Sequence, residues 1–147
     1  MKKLIAVLAG ALAFAAVASA QPRAIGIRAG YGGELSYQHA LGTNFIEADL
    51  GFFVGNGLHL NATYDFVFAA ANIFDFYIGP GFQIGAYNAK TDTGSAMRFN
   101  IGLVAQLGVE AQIPSVPINI SLDWRPTIVS IGGPYWAGVA LGIRYRF

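Results

Sequence analysis

The sequence predicts an all-β fold, an eight-stranded antiparallel up-and-down β-barrel that spans a membrane and follows a cleaved leader. Three observations predict it: the layout of the first twenty residues, an apolar/polar alternation with a period of two, and a polar face whose composition suits a crowded interior better than a wetted surface.

The leader comes first. Lys2 and Lys3 precede an apolar run over residues 4–17, which ends in Ala18-Ser19-Ala20 before Gln21. This is the three-part layout of a signal peptide, with cleavage expected after Ala20. The apolar run is shorter than the roughly 20 residues that a spanning helix needs, which disfavours an anchor. Two regions are therefore expected, a signal peptide over 1–20 and a barrel over 21–147. Cleavage leaves 127 of the 147 residues, with seven Lys and Arg against eight Asp and Glu, so the mature net charge is near −1. That balance excludes nucleic acid as a partner. The absence of cysteine excludes a disulfide framework, a thiolate metal site and a lipid-modified Cys at the cleavage point.

Hydrophobic residues make up 54% of the chain and mean hydropathy is +0.48, yet the mature part has no long unbroken apolar stretch. Helical spans are excluded. The alternation supplies strands instead. Residues 24–41 read either as one long strand or as two short ones. A closed antiparallel barrel with both ends on one side needs an even number, and splitting this stretch gives eight strands where leaving it whole gives seven. The turn is then expected at Gly32-Gly33-Glu34, three residues long, so that Ile25, Ile27, Tyr31, Leu35 and Tyr37 share a face.

The third strand sets Ile46, Ala48, Leu50 and Phe52 against Glu47, Asp49 and Gly51. The fourth, over 58–68, sets Leu58, Leu60, Ala62, Tyr64, Phe66 and Phe68 against His59, Asn61, Thr63, Asp65 and Val67. The fifth, over 74–85, opposes Phe74, Phe76, Ile78 and Phe82 to Asp75, Tyr77, Gly79 and Gln83. The sixth, over 97–113, carries Met97, Phe99, Ile101, Leu103, Leu107 and Val109 on one face and Arg98, Asn100, Gln106, Gly108 and Glu110 on the other. The seventh, over 118–128, places Ile120, Leu122, Trp124, Pro126 and Ile128 opposite Ser121, Asp123, Arg125 and Thr127. The eighth, over 135–147, runs to the end with Leu141, Ile143, Tyr145 and Phe147 alternating with Gly142, Arg144 and Arg146. Turn signals fall at Gly42-Thr43-Asn44, Gly55-Asn56-Gly57, Ala70-Ala71-Asn72, 88–96, Pro114 to Pro117 and Gly132-Gly133-Pro134. Only the connection near Lys90-Thr91-Asp92 is expected to have any length.

Alternation fits two opposite objects, a soluble lipocalin-like barrel with apolar residues inside and a membrane barrel with apolar residues in lipid. The polar face is rich in glycine and in charges of both signs, which suits a narrow interior where acids and arginines neutralise one another. The mature chain has a single lysine, Lys90, where a soluble surface would carry many. Aromatic residues fall where interfacial girdles belong, with Phe66, Phe68, Phe74, Phe76, Tyr145 and Phe147 at the periplasmic rim and Tyr31, Phe52 and Tyr135 at the outer one.

The alternating Ile143, Tyr145 and Phe147, ending on an aromatic, resemble the C-terminal signal read by the machinery that assembles outer-membrane barrels. The whole mature chain resembles the small eight-stranded outer-membrane barrels of the OmpX/OmpA type. Ile25-Gly26-Ile27-Arg28, Ser36-Tyr37-Gln38, Leu122-Asp123-Trp124-Arg125-Pro126 and the closing Gly142 to Phe147 are similar to small barrel proteins of Bacteroidetes. The resemblance implies a monomer in the bacterial outer membrane, with membrane lipid and the assembly machinery as its partners.

The expected lumen set is Arg28, Glu47, Asp49, Asp65, Asp75, Arg98, Glu110, Asp123, Arg125, Arg144 and Arg146. Eight strands enclose a space just filled by side chains, so a plug of ion pairs is expected rather than a pore. A structural or membrane-organising role leads, with a narrow channel for small solutes as the alternative. A lipid-modifying enzyme is disfavoured: His59 lies on the polar face near the outer rim, and His39 follows the apolar face with no serine beside it in the pattern. No catalytic, cofactor or metal site is expected.

Overall fold

The computed structural model describes residues 23–30, 32–53, 57–130 and 134–147. The expected signal peptide lies outside them, as does Tyr31. The strands are β1 (Arg23–Ala29), β2 (Gly33–Leu41), β3 (Asn44–Phe53), β4 (Gly57–Ala71), β5 (Phe74–Thr91), β6 (Gly94–Gln112), β7 in two segments (Ile118–Trp124 and Thr127–Ser130) and β8 (Val139–Arg146). Each pairs antiparallel with the next, and β8 closes on β1 through pairs such as Ile27↔Ile143. The even count obtained by splitting 24–41 is borne out.

Following paired residues once round the wall links Ile101, Ile84, Leu60, Leu50, Leu35, Ile27, Ile143 and Ile120, then returns to β6 at Ala111, ten residues from the start. With about 3.3 Å per residue and about 4.8 Å between strands, a shift of ten over eight strands inclines them by about 40°. All eight linked residues are Ile or Leu, and they face outward. The exterior is an apolar surface and the interior is polar, since the buried residues include Arg28, Glu47, Asp49, Asp65, Gln106, Asp123 and Arg144. A surface of exposed Ile, Leu and Phe over a core of ion pairs is stable in hydrocarbon, not in water.

Four expectations shift. Ala29 pairs with Gly33, so the first connection is residues 30–32, two positions earlier than expected but of the expected odd length. Glu34 thereby leaves the turn and faces Arg28 across the ladder. The expected long connection over 88–96 is instead a continuation of β5 and β6, which pair as far as Thr91↔Gly94 around a two-residue turn. The polar composition there marks a ribbon standing clear of the apolar belt, not a loss of strand. Gly94 sits at φ +138°, a conformation open to glycine, and so permits the tight turn.

The seventh strand breaks at Arg125-Pro126, because Pro126 has no N–H to give the ladder. Arg125, Pro126 and Thr127 are all buried in succession, so Pro126 turns inward instead of facing lipid as its position in the alternation suggests. Arg125 N donates to Gly138 O at 2.7 Å and Ala105 N to Pro126 O at 3.1 Å, which keeps the wall closed across the break. Strand β8 starts at Val139, and Tyr135, four residues before it, bridges to Thr127 outside the strand.

Candidate functional site

The interior is the candidate site, and its centre is Glu47 on β3, which has no exposed surface. Glu47 Oε2 accepts from Gln38 Nε2 at 2.8 Å, and Oε1 accepts from Arg125 Nη2 at 2.7 Å. Arg144 Nη2 lies 2.9 Å from Oε2 as an ion pair. The break in β7 aims Arg125 at this point, where its Nε also donates to Gln106 Oε1 at 2.6 Å and Nη2 lies 2.6 Å from Asp49 Oδ2. Arg144 is held by two hydroxyls, donating from Nε to Ser36 Oγ at 2.8 Å and from Nη1 to Ser121 Oγ at 2.7 Å. Side chains from β2, β3, β6, β7 and β8 thus meet in one layer across the barrel.

Arg28 forms the neighbouring layer toward the end that carries the β5–β6 ribbon. It pairs with Glu34 and Asp123, and Glu34 Oε1 lies 2.7 Å from His59 Nε2 and accepts from Asn61 Nδ2 at 3.2 Å. Toward the end that carries the chain termini, Asn119 Nδ2 donates to Glu110 Oε1 at 2.9 Å, and Thr63 Oγ1 donates to Asp65 Oδ2 at 2.6 Å. Tyr77 fills the space beside them and packs edge-on to Phe45, ring centres 5.0 Å apart.

Of the expected lumen set, Arg28, Glu47, Asp49, Asp65, Glu110, Asp123, Arg125 and Arg144 are buried inside. Asp75 and Arg146 are half-buried at the terminal rim, where Gln112 donates to Asp75 Oδ2 at 2.6 Å and Arg146 Nη2 donates to Ile113 O at 2.9 Å. Arg98 is a correction: it is exposed. It pairs with Tyr87 on β5, beyond the last contact of β6 with β7 among the described residues at Gly102↔Ser130.

Residues that the sequence reading left out are Glu34, Ser36, Gln38, Asn61, Gln106, Asn119 and Ser121, all of which bond inside the lumen. Asn61, Gln106, Asn119 and Ser121 carry a signal, since they share the parity of Asp65, Glu110 and Asp123 along their strands, but a set chosen by charge passes over them; Glu34 falls in the turn expected at Gly32-Gly33-Glu34, whereas it lies on β2. Inside the described barrel, six carboxylates (Glu34, Glu47, Asp49, Asp65, Glu110, Asp123) face three guanidinium groups (Arg28, Arg125, Arg144).

Two cavities flank the central layer. One of about 290 Å³ opens at the ribbon end and includes Arg28, Glu34, Asn61 and Arg125 in its lining. The other, about 360 Å³, opens at the terminal end beside Gln38, Asp75, Glu110 and Arg146.

No protein-family model and no curated protein matches this chain. Among solved structures, Neisserial surface protein A is similar over 86% of this chain and 94% of that one, at 13% identity and a TM-score of 0.59. A de novo designed transmembrane β-barrel is similar over 86% of this chain and 95% of that one, at 15% identity and a TM-score of 0.61. The chain has the fold of the small outer-membrane barrels. Likeness at this level of identity speaks for the fold alone, and the designed barrel shows that such a wall needs no natural activity to exist.

Proposed function

We propose that residues 21–147, freed of the signal peptide 1–20, form a barrel of the bacterial outer membrane with a structural or membrane-organising and interaction role, its lumen plugged by side chains. The observation that carries this reading is the Glu47 layer, in which one buried carboxylate holds Gln38, Arg125 and Arg144 between the two cavities. A solute passing from one cavity to the other has to break these contacts. The outward Ile, Leu and aromatic side chains support a lipid environment, and the exposed alternation of Ile143, Tyr145 and Phe147 supports recognition by the assembly machinery. Every wall strand finds both neighbours within one chain, which supports a monomer. The reading includes no catalysis. The buried serines Ser36 and Ser121 both accept from Arg144, deep between the walls, where no lipid bond reaches.

The test is reconstitution in planar bilayers of protein that migrates in the outer-membrane fraction and shows a heat-dependent gel shift. No conductance steps are expected. Steps would favour the second reading, a narrow path for small solutes, which the approach of the two cavities from opposite ends supports. The surplus of carboxylates over guanidinium groups would make such a path cation-selective.

A further inference from the structure

The cavity at the ribbon end is a cup with polar walls, and its chemistry restricts what it can hold. Arg125 Nη1 and Glu34 Oε2 lie 3.7 Å apart in its lining, and Arg28, also in the lining, is neutralised by its pairs with Glu34 and Asp123, so an entering cation meets guanidinium groups and an entering anion meets a carboxylate. Neither sign of charge is favoured there. Two buried polar atoms in the lining have no hydrogen-bond partner among the described residues: Asn61 Oδ1, an acceptor on a residue 2% exposed, and Arg125 Nη1, a donor on a residue 6% exposed.

Neither atom is free to turn away. Asn61 is oriented by its Nδ2 donating to Glu34, which His59 fixes in turn. Arg125 is anchored through Nε to Gln106 and through Nη2 to Glu47. A buried donor or acceptor left without a partner costs about 1–3 kcal/mol, so the cup favours an occupant that supplies one donor and one acceptor. A hydroxyl group supplies both. Gln83 and Thr127 add a neutral amide and a neutral hydroxyl to the same wall, and the exposed Phe52 ring stands at the rim. The volume lies at the lower limit of ligand pockets, which restricts the occupant to about one ring.

From this arrangement we infer that the cup is a binding site for a small neutral polyhydroxylated molecule the size of a single sugar ring, held by Asn61 and Arg125 and reached from the ribbon end. The inference does not depend on whether the central layer conducts, because the site lies wholly to one side of Glu47.

The test is titration of the isotope-labelled, detergent-folded barrel with glucose, galactose, mannose and inositol, each alone, followed by the side-chain resonances of Asn61 and Arg125. Glucuronate and glucosamine serve as charged rings of the same size. Saturable shifts are expected for at least one neutral compound, with both charged rings binding about tenfold more weakly or worse. Asn61→Leu, and separately Gln83→Leu, are expected to weaken the neutral compound by about tenfold while the heat-dependent gel shift persists. No saturable shift with any neutral compound would overturn the inference. So would a charged ring that binds as tightly, or unchanged binding in both variants while they remain folded.

Discussion

Glu47 and Asp65 are both carboxylates without exposed surface, yet their surroundings differ. Glu47 is shared by three arginines, Arg28, Arg125 and Arg144, and by Gln38, whereas Asp65 accepts from Thr63 and has no arginine within ion-pair distance among the described residues. Removing one member of a buried ion network leaves its partners charged and unpaired, so Glu47→Leu is expected to cost about 3–5 kcal/mol. Asp65→Asn, which keeps the shape and the hydrogen bond from Thr63, is expected to cost about 1 kcal/mol or less. Urea unfolding from lipid vesicles checks both, and equal losses would mean that Glu47 is not the centre of the network. Packing divides another pair in the same way. A Cβ on Gly108 would stand 2.4 Å from Tyr77 Cζ and 2.8 Å from Asp123 Cβ, so Gly108→Val forces the ring and the strand apart and is expected to cost about 1–3 kcal/mol. Tyr77→Phe removes a hydroxyl that has no partner among the described residues, and the same unfolding measurement is expected to find it neutral or slightly stabilising.

Strands β5 and β6 outrun their neighbours. The last pair with β4 is Gly57↔Tyr87 and the last with β7 is Gly102↔Ser130, so the ribbon from there to Thr91↔Gly94 has both edges unpaired among the described residues. Met97 and Phe99 on it are 65% and 68% exposed. An edge without neighbours opens locally at low cost, whereas the closed wall opens only with the whole barrel. Trypsin added to the folded protein is therefore expected to cut after Lys90 and Arg98 while sparing Arg28 and Arg144, and the pieces should stay together on a gel until boiled. Early cleavage at either of these two buried arginines would show that the wall is not closed. The strand pattern was legible in the sequence wherever one face met lipid, because alternation is imposed by the two environments. It failed where that constraint lapses: over 88–96 at the tip of the ribbon, where no apolar face alternates with a polar one, and at Pro126, where a missing N–H bends the chain inward. The first turn was misplaced because Gly30, Gly32 and Gly33 all permit one. The opposite charges of Arg28 and Glu34, which face each other across the ladder, carried the register that would have placed it.

On the scale of the whole barrel, the shift of ten residues ties each position to a depth. Ten residues of a strand inclined by about 40° descend about 25 Å, the height of the apolar band of such barrels. The path of paired Ile and Leu residues therefore descends by the height of such a band from Ile101 to Ala111, with Leu35 and Ile27 near its midpoint and Phe99 beyond its start. None of this depth was legible before the registers were known, since alternation assigns a face and says nothing of height. The depths make a prediction that a soluble barrel would not share. An arginine at the bilayer midplane costs about 2–4 kcal/mol and near the interface about 0–1 kcal/mol. Leu35→Arg is expected to fall in the first range and Phe99→Arg in the second, although Phe99 is the more exposed residue of the two. The check is equilibrium unfolding from vesicles, repeated in bilayers of shorter acyl chains. Thinning the hydrocarbon should reduce the cost at Leu35 and leave that at Phe99 unchanged. If both substitutions were instead tolerated equally at every thickness, the outward Ile and Leu residues would not be facing lipid.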